Sequence, residues 1–129
     1  MNDSIRPILI GGIGWQSIKN IRQEPALING YYVATSKNRR YQNFIKRYKK
    51  SANITPPPLA MIAYDVTSLA LVVLKHTNYK KKLFFDTGFL GISGTMKFSD
   101  YGIILRSYDI LQVLPNTIKY QFSTPASSK

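Results

Sequence analysis

Few side chains in this sequence could carry out chemistry, and their spacing excludes more than it suggests. A single histidine, His76, stands among 129 residues, and cysteine is absent. A histidine-based triad or a multi-histidine metal site therefore cannot be built within the chain. Thiolate zinc sites, iron–sulfur clusters, cysteine nucleophiles and a disulfide framework are excluded too. The six acids, Asp3, Glu24, Asp65, Asp86, Asp100 and Asp109, are widely separated, and no spacing among them marks a paired-carboxylate centre. No catalytic residue, metal or cofactor is expected. The loop Gly12-Ile13-Gly14-Trp15-Gln16-Ser17 follows an apolar run, but serine stands where a dinucleotide loop needs its third glycine, and no acid follows at the required distance. A loop at the carboxyl end of a strand is still a natural place for ligand contact, so Gly12, Gly14 and Trp15 are the candidate ligand-binding residues. The competing reading of Trp15 is a tryptophan packed within its own loop. Asp65 lies between Tyr64 and Val66 in a strongly apolar stretch, where a carboxylate must find partners or shift its pKa. Hydrogen bonding to an adjacent loop is the simpler role for it, and ligand binding the other.

Charge is the other chemical signal. Eighteen Lys and Arg against six Asp and Glu give a formal net charge of +12, which points first to nucleic acid or another acidic surface. Lysine outnumbers arginine 12 to 6, and isoleucine (15) outnumbers alanine (7). That composition is equally the mark of an AT-rich genome, with the lysines merely solvated.

The elements that must position these residues follow from pattern. Ile8 to Ile10 reads as a short buried strand entering the glycine loop, and 17–23 as a short helix stopped by Pro25. Residues 27–35 read as a second strand, with Gly30 marking a kink or a close backbone approach. Tyr41, Phe44, Ile45 and Tyr48 fall at i, i+3, i+4 and i+7, which predicts a helix over 37–50 capped by Ser36 or Asn38. Arg39, Arg40, Lys46, Arg47, Lys49 and Lys50 then occupy its outer arc. The aromatics among them point inward, which makes them poor stacking platforms for bases. Pro58 suits the first position of a second helix, 59–74, in which 13 of 16 residues are apolar. It is too short for a membrane span and carries an acid near its middle. A helix apolar nearly all round needs cover on several sides, more than a chain of this length can supply, so poor autonomous stability is expected. His76 is expected on the surface at the end of this helix. Residues 94–98 and 103–113 read as strands joined by the turn Ser99-Asp100-Tyr101-Gly102, and 117–122 as another. The order suggests an α/β layer with an antiparallel end. No basic n-region leads into a long apolar stretch, so no signal peptide is read, and the chain expressed as written would be cytoplasmic.

Three stretches together resemble one superfamily. Tyr41 to Tyr48, Pro56-Pro57, and Leu59-Ala60-Met61-Ile62-Ala63-Tyr64-Asp65 look like the F-x-x-x-Y … P-P-x-x-A-x-x-A-Y-D segment of type 1 periplasmic binding proteins. Gly88-Phe89-Leu90-Gly91-Ile92-Ser93-Gly94, with Phe98 and Gly102, looks like their late G-F-x-G-x-x-G-x-x-x-F-x-x-x-G segment, and Arg106 to Val113 is similar to the strand that follows. Within that superfamily the chain resembles penicillin-binding protein activators of the alphaproteobacterial lipoprotein kind. Their G-x-G-x-W loop matches Gly12, Gly14 and Trp15. Their P-A-L-x-G-x-[WY] matches Pro25, Ala26, Leu27, Gly30 and Tyr32 with a one-residue offset. Receptors of the branched-chain type place an acid in the loop to pair with the ligand ammonium; Ile13 stands there in this chain.

The resemblance implies an α/β fold, an incomplete type 1 periplasmic-binding fold in which residues 1–129 are the C-terminal part of a leucine-binding-protein-type domain and contribute to both lobes. Residues 5–36 and 92–122 would belong to one lobe and 37–88 to the other. It further implies a non-enzymatic lipoprotein, periplasmic or associated with the outer membrane, that contacts and stimulates a peptidoglycan synthase, with a small ligand possible in the inter-lobe cleft. The alternative is an amino-acid-type solute receptor of an ABC uptake transporter. A small basic nucleic-acid-binding protein is the remote third.

Overall fold

A computed structural model describes residues 7–78, 81, 84 and 87–126 of the chain. Successive side chains of Tyr31–Ala34 (β2) point to opposite faces, which buries Tyr32 and Ala34 and leaves Tyr31 and Val33 half-covered. β2 is flanked on one side by a parallel two-residue strand, Ile10–Gly11 (β1), and on the other by antiparallel Asp109–Val113 (β6), which pairs in turn with Ile118–Ser123 (β7). The resulting order is β1-β2-β6-β7. Between β1 and β2 the chain makes three short 3-10 turns, Ile13–Ser17, Ile21–Gln23 and Pro25–Leu27, where the sequence suggested one short helix. They cover the sheet and, with it, enclose Ile21, Tyr32, Ala34 and Val113.

The predicted amphipathic helix is present as Arg39–Ala52 (α1). Of the two caps the sequence offered, Ser36 and Asn38, Asn38 is the one used: the side-chain oxygen accepts from the Tyr41 N–H (2.9 Å), and the side-chain amide donates to the Gly91 carbonyl (3.1 Å). Replacing Asn38 with alanine is expected to cost about 1–2 kcal/mol, the upper range for a lost cap, read as a shift in a urea midpoint at constant slope. Pro58 opens the second helix, Pro58–Leu74 (α2). A hairpin and a third strand follow: Phe89–Leu90 (β3), Thr95–Phe98 (β4) and Ile104–Arg106 (β5), all antiparallel. The turn at 99–102 forms as expected, Gly102 N–H donating to Ser99 O (2.8 Å) at a φ of +77°. Phe44, Met61 and Ile92 make one core between the helices and this sheet; Leu69, Val73 and Met96 make a second. His76 is exposed just beyond α2.

Three expectations need correction. Residues 103–113 are two strands in two different sheets. Ser107 still exchanges hydrogen bonds with Thr95, while the next residue, Tyr108, bonds to Thr124 beside β7. The chain therefore crosses between the two bodies within one peptide. Consequently residues 92–106 pack with α1 and α2, not with the first sheet, which moves them out of the lobe assigned above. Ile8 to Ile10 is not buried: β1 is an edge strand, and Ile8 and Ile10 are 73% and 74% exposed.

The difficulty foreseen for α2 is visible. Met61, Asp65, Leu69 and Val73, spaced by four, form its buried face. Leu59, Leu71 and Leu74 on its other sides are 73%, 61% and 69% exposed. No helix among the described residues is long and apolar enough to cross a membrane.

Candidate ligand-binding cleft

The two bodies meet along a cleft of about 510 Å³. Gln16, Ser17, Ile18 and Lys19 form the wall from the sheet body, Tyr41, Pro58 and Met61 come from the helices, Thr55, Pro56 and Pro57 from the connection between them, and Lys37 from the segment leading from β2 to α1. Gln16 is held in place: its Oε1 accepts from the Thr35 N–H (3.0 Å) and its Nε2 lies 2.9 Å from Thr35 Oγ1. Thr35 is itself buried. A preorganised amide, a phenol and two ammonium groups thus face a partly apolar space. The charged lining residues are both lysines, so the electrostatic preference is for an anion.

Burial pushes the Tyr41 phenol, and likewise that of Tyr32, above the ordinary value of 10.0. The folded state then holds these protons more tightly than the unfolded chain. Their contribution is intact below pH 10.0 and is lost as the pH rises through the raised folded values. An alkaline absorbance titration of the wild type against Tyr41→Phe should show one late-titrating phenol removed. A phenol lost from the ordinary range instead would contradict the burial.

The predicted loop residues stand beside the cleft, not among the residues lining it. Gly12 and Gly14 are exposed, and a Cβ added at either would meet nothing within 4 Å. Trp15 is half-buried in the core beneath the sheet. Its indole lies directly on Gly11, and a Cβ at Gly30 would come within 3.2 Å of it. Its ring also meets Tyr32, with centroids 6.1 Å apart. The packing alternative for Trp15 is the arrangement observed, and the close approach anticipated at Gly30 is real: a Cβ there would also sit 3.0 Å from the Leu27 carbonyl. The sequence reading missed Gln16, Lys37 and Tyr41 as cleft residues. Each looks locally like an ordinary polar, basic or core position.

Asp65, 1% exposed, occupies a different place, at the junction of α2 with the loop after β3. Oδ1 accepts from the Ile92 N–H (2.7 Å) and Oδ2 from the Ser93 N–H (2.9 Å). The Ser93 hydroxyl donates to Oδ2, and the Arg106 guanidinium donates to that hydroxyl and lies 3.5 Å from Oδ2. The carboxylate is the satisfied, loop-binding acid that its surroundings required. Gly91 passes so close that a Cβ there would overlap the carboxyl group. The two sequence segments that look like the periplasmic-binding pattern are therefore joined through Asp65. Among the described residues no group of three or more His, Cys, Asp or Glu is placed to hold a metal.

No protein-family model matches the chain, and no curated protein matches it in sequence. Solved structures do match it in fold. An ABC transporter substrate-binding protein from Desulfitobacterium hafniense superposes with a TM-score of 0.64 at 16% identity, over 92% of this chain and 37% of that one. A branched-chain amino acid transporter substrate-binding protein from Streptococcus pneumoniae, in complex with isoleucine, gives 0.58 at 20% identity, over 93% and 37%. A solute-binding protein from R. palustris, in complex with benzoate, gives 0.58 at 17%, over 90% and 36%. The chain spans little more than a third of the length of these proteins. Its fold is an incomplete type 1 periplasmic-binding fold of the leucine-binding-protein kind.

Proposed function

We propose that the chain works by binding, not catalysis, as part of a two-lobed periplasmic protein whose cleft accepts a small organic anion with no ammonium group. The observation that carries this reading is the charge of the cleft wall, where Lys19 and Lys37 are present and, among the described residues, no carboxylate lines the space. An amino acid would bring an ammonium that nothing there neutralises, and leaving it unpaired is costly. A simple carboxylate would pair with a lysine and lay its apolar part against Pro56–Pro58 and Met61. Of the similar solved proteins, one holds isoleucine and another benzoate; the cleft chemistry favours the second type of ligand. Gly12, Gly14 and Trp15 would shape the rim, through the loop that presents Gln16.

Titration calorimetry of the full chain with benzoate and with isoleucine tests the proposal. Benzoate should bind and isoleucine should not. Lys37→Met should weaken benzoate about tenfold, as expected for one charge-assisted hydrogen bond. Tighter binding of isoleucine than of benzoate would reverse the assignment.

A second reading, contact with and stimulation of a peptidoglycan synthase in the manner of a penicillin-binding protein activator, is favoured by one observation. Trp15 of the G-x-G-x-W match and Gly30 of the P-A-L-x-G match lie against each other, while Gly12 and Gly14 remain open on the surface. It predicts that the chain is retained by an immobilised penicillin-binding protein and that substituting the exposed Gly12 and Gly14 with glutamate abolishes retention. Retention unchanged by those substitutions would count against that surface.

A further inference from the structure

We propose a second anion site, separate from the cleft, in the groove between α1 and α2, where Arg40 and Arg47 hold a phosphate-type oxyanion. Arg40, Asn43 and Arg47 lie at i, i+3 and i+7 and share one face of α1. Across the groove stand Tyr64 and Ser68, one turn apart on α2, and these five side chains line a single crevice of about 220 Å³ closed by β3. The arginines are already oriented. Arg40 donates through Nη1 to the Leu90 carbonyl (2.8 Å), and Arg47 Nη2 lies 3.4 Å from the Tyr64 hydroxyl. Each guanidinium carries five N–H donors, so most remain available.

Neither cation is neutralised by a neighbour among the described residues. The crevice reaches Asp65, but that carboxylate is occupied by the Ile92 and Ser93 amides and by Arg106. Arg106–Asp65 is the only ion pair among the described residues. Lys46 adds a third positive charge in the adjoining hollow beside Asn43 and Arg47. Two planar guanidiniums with an amide and two hydroxyls match the several acceptor oxygens of a phosphate, which arginine can hold through paired N–H donors. The crevice is smaller than the roughly 300 Å³ at which sites for whole organic ligands begin, so it suits a phosphate head group. The basic arc of α1 is thereby divided into a built site, Arg40 and Arg47, and solvated charge, Lys49 and Lys50.

The experiment measures inorganic phosphate binding by calorimetry and cosedimentation with phosphatidylglycerol or phosphatidylcholine vesicles, using the full chain at physiological salt. Arg40→Gln/Arg47→Gln is compared with Lys49→Gln/Lys50→Gln, which removes the same charge from the same helix outside the groove. Binding should fall about tenfold or more in the arginine variant and less than about threefold in the lysine variant. Binding of phosphate identifies a free phosphorylated molecule as the source. Cosedimentation only with phosphatidylglycerol identifies a lipid head group. Equal losses in both variants, or no binding to phosphate or to either vesicle, overturn the proposal.

Discussion

Replacing Asp65 with alanine should lower the unfolding free energy by about 3–5 kcal/mol, the range for breaking a buried ion pair by removing one partner. The carboxylate ties three places together: α2, the backbone of the loop at Ile92 and Ser93, and Arg106 at the end of β5. Without it two buried N–H donors lose their acceptor, and a guanidinium whose side chain is 9% exposed loses its counter-charge. The cavity left beside Met61 and Ile92 adds to the loss. Asparagine is no remedy, because its amide would direct N–H groups at N–H groups if it turned to keep Arg106, and would carry no charge in any orientation. Equilibrium urea denaturation of the alanine and asparagine variants checks this. A loss below about 1 kcal/mol in both would mean the junction contributes no more than an average surface pair.

Gly91→Ala should be nearly as damaging, about 3 kcal/mol, at the upper end of overpacking costs. The glycine is not needed for an unusual backbone angle; it is needed because the Asp65 carboxyl group occupies the space a Cβ would take. Its carbonyl also accepts the Asn38 side-chain amide (3.1 Å), so a shift at Gly91 disturbs the cap of α1 as well. The two predictions are coupled. In an Asp65→Ala background the clash is gone, and Gly91→Ala should cost at least about 1.5 kcal/mol less than alone, the interaction energy of a contacting pair. Strictly additive losses would show that the alanine acts elsewhere.

How much of this was legible beforehand depended on distance along the chain. α1 was readable because its apolar positions repeat with the helical period and two capping residues, Ser36 and Asn38, precede it, of which the structure uses Asn38. The start of α2 was readable from Pro58, and the turn at 99–102 from its Ser, Asp and Gly. The junction was half-readable. The segment around Asp65 and the segment around Gly91 each matched a pattern, and burial demanded a partner for the acid, but nothing local named Ile92 and Ser93, which lie 27 and 28 residues away. The crossing between Ser107 and Tyr108 was invisible. The run 103–113 contains no glycine or proline, and its apolar content suits one strand as well as two. Ile8 to Ile10 misled for a related reason, since composition distinguishes a strand from a loop but not an edge from a centre.

From sequence alone came the helices, the absence of triad, cysteine and histidine-metal chemistry, the need to satisfy Asp65 and the excess of apolar surface on α2. These are properties of residue type and short-range period, which local sterics and solvation determine. Tertiary structure alone decided that 92–106 belongs with the helices, that Trp15 packs on Gly11 and Gly30, and that Gln16, Lys37 and Tyr41 converge on one cleft. Those outcomes turn on which distant strands pair and which faces meet. That choice is a competition among non-local contacts, and no single stretch of the chain records its result.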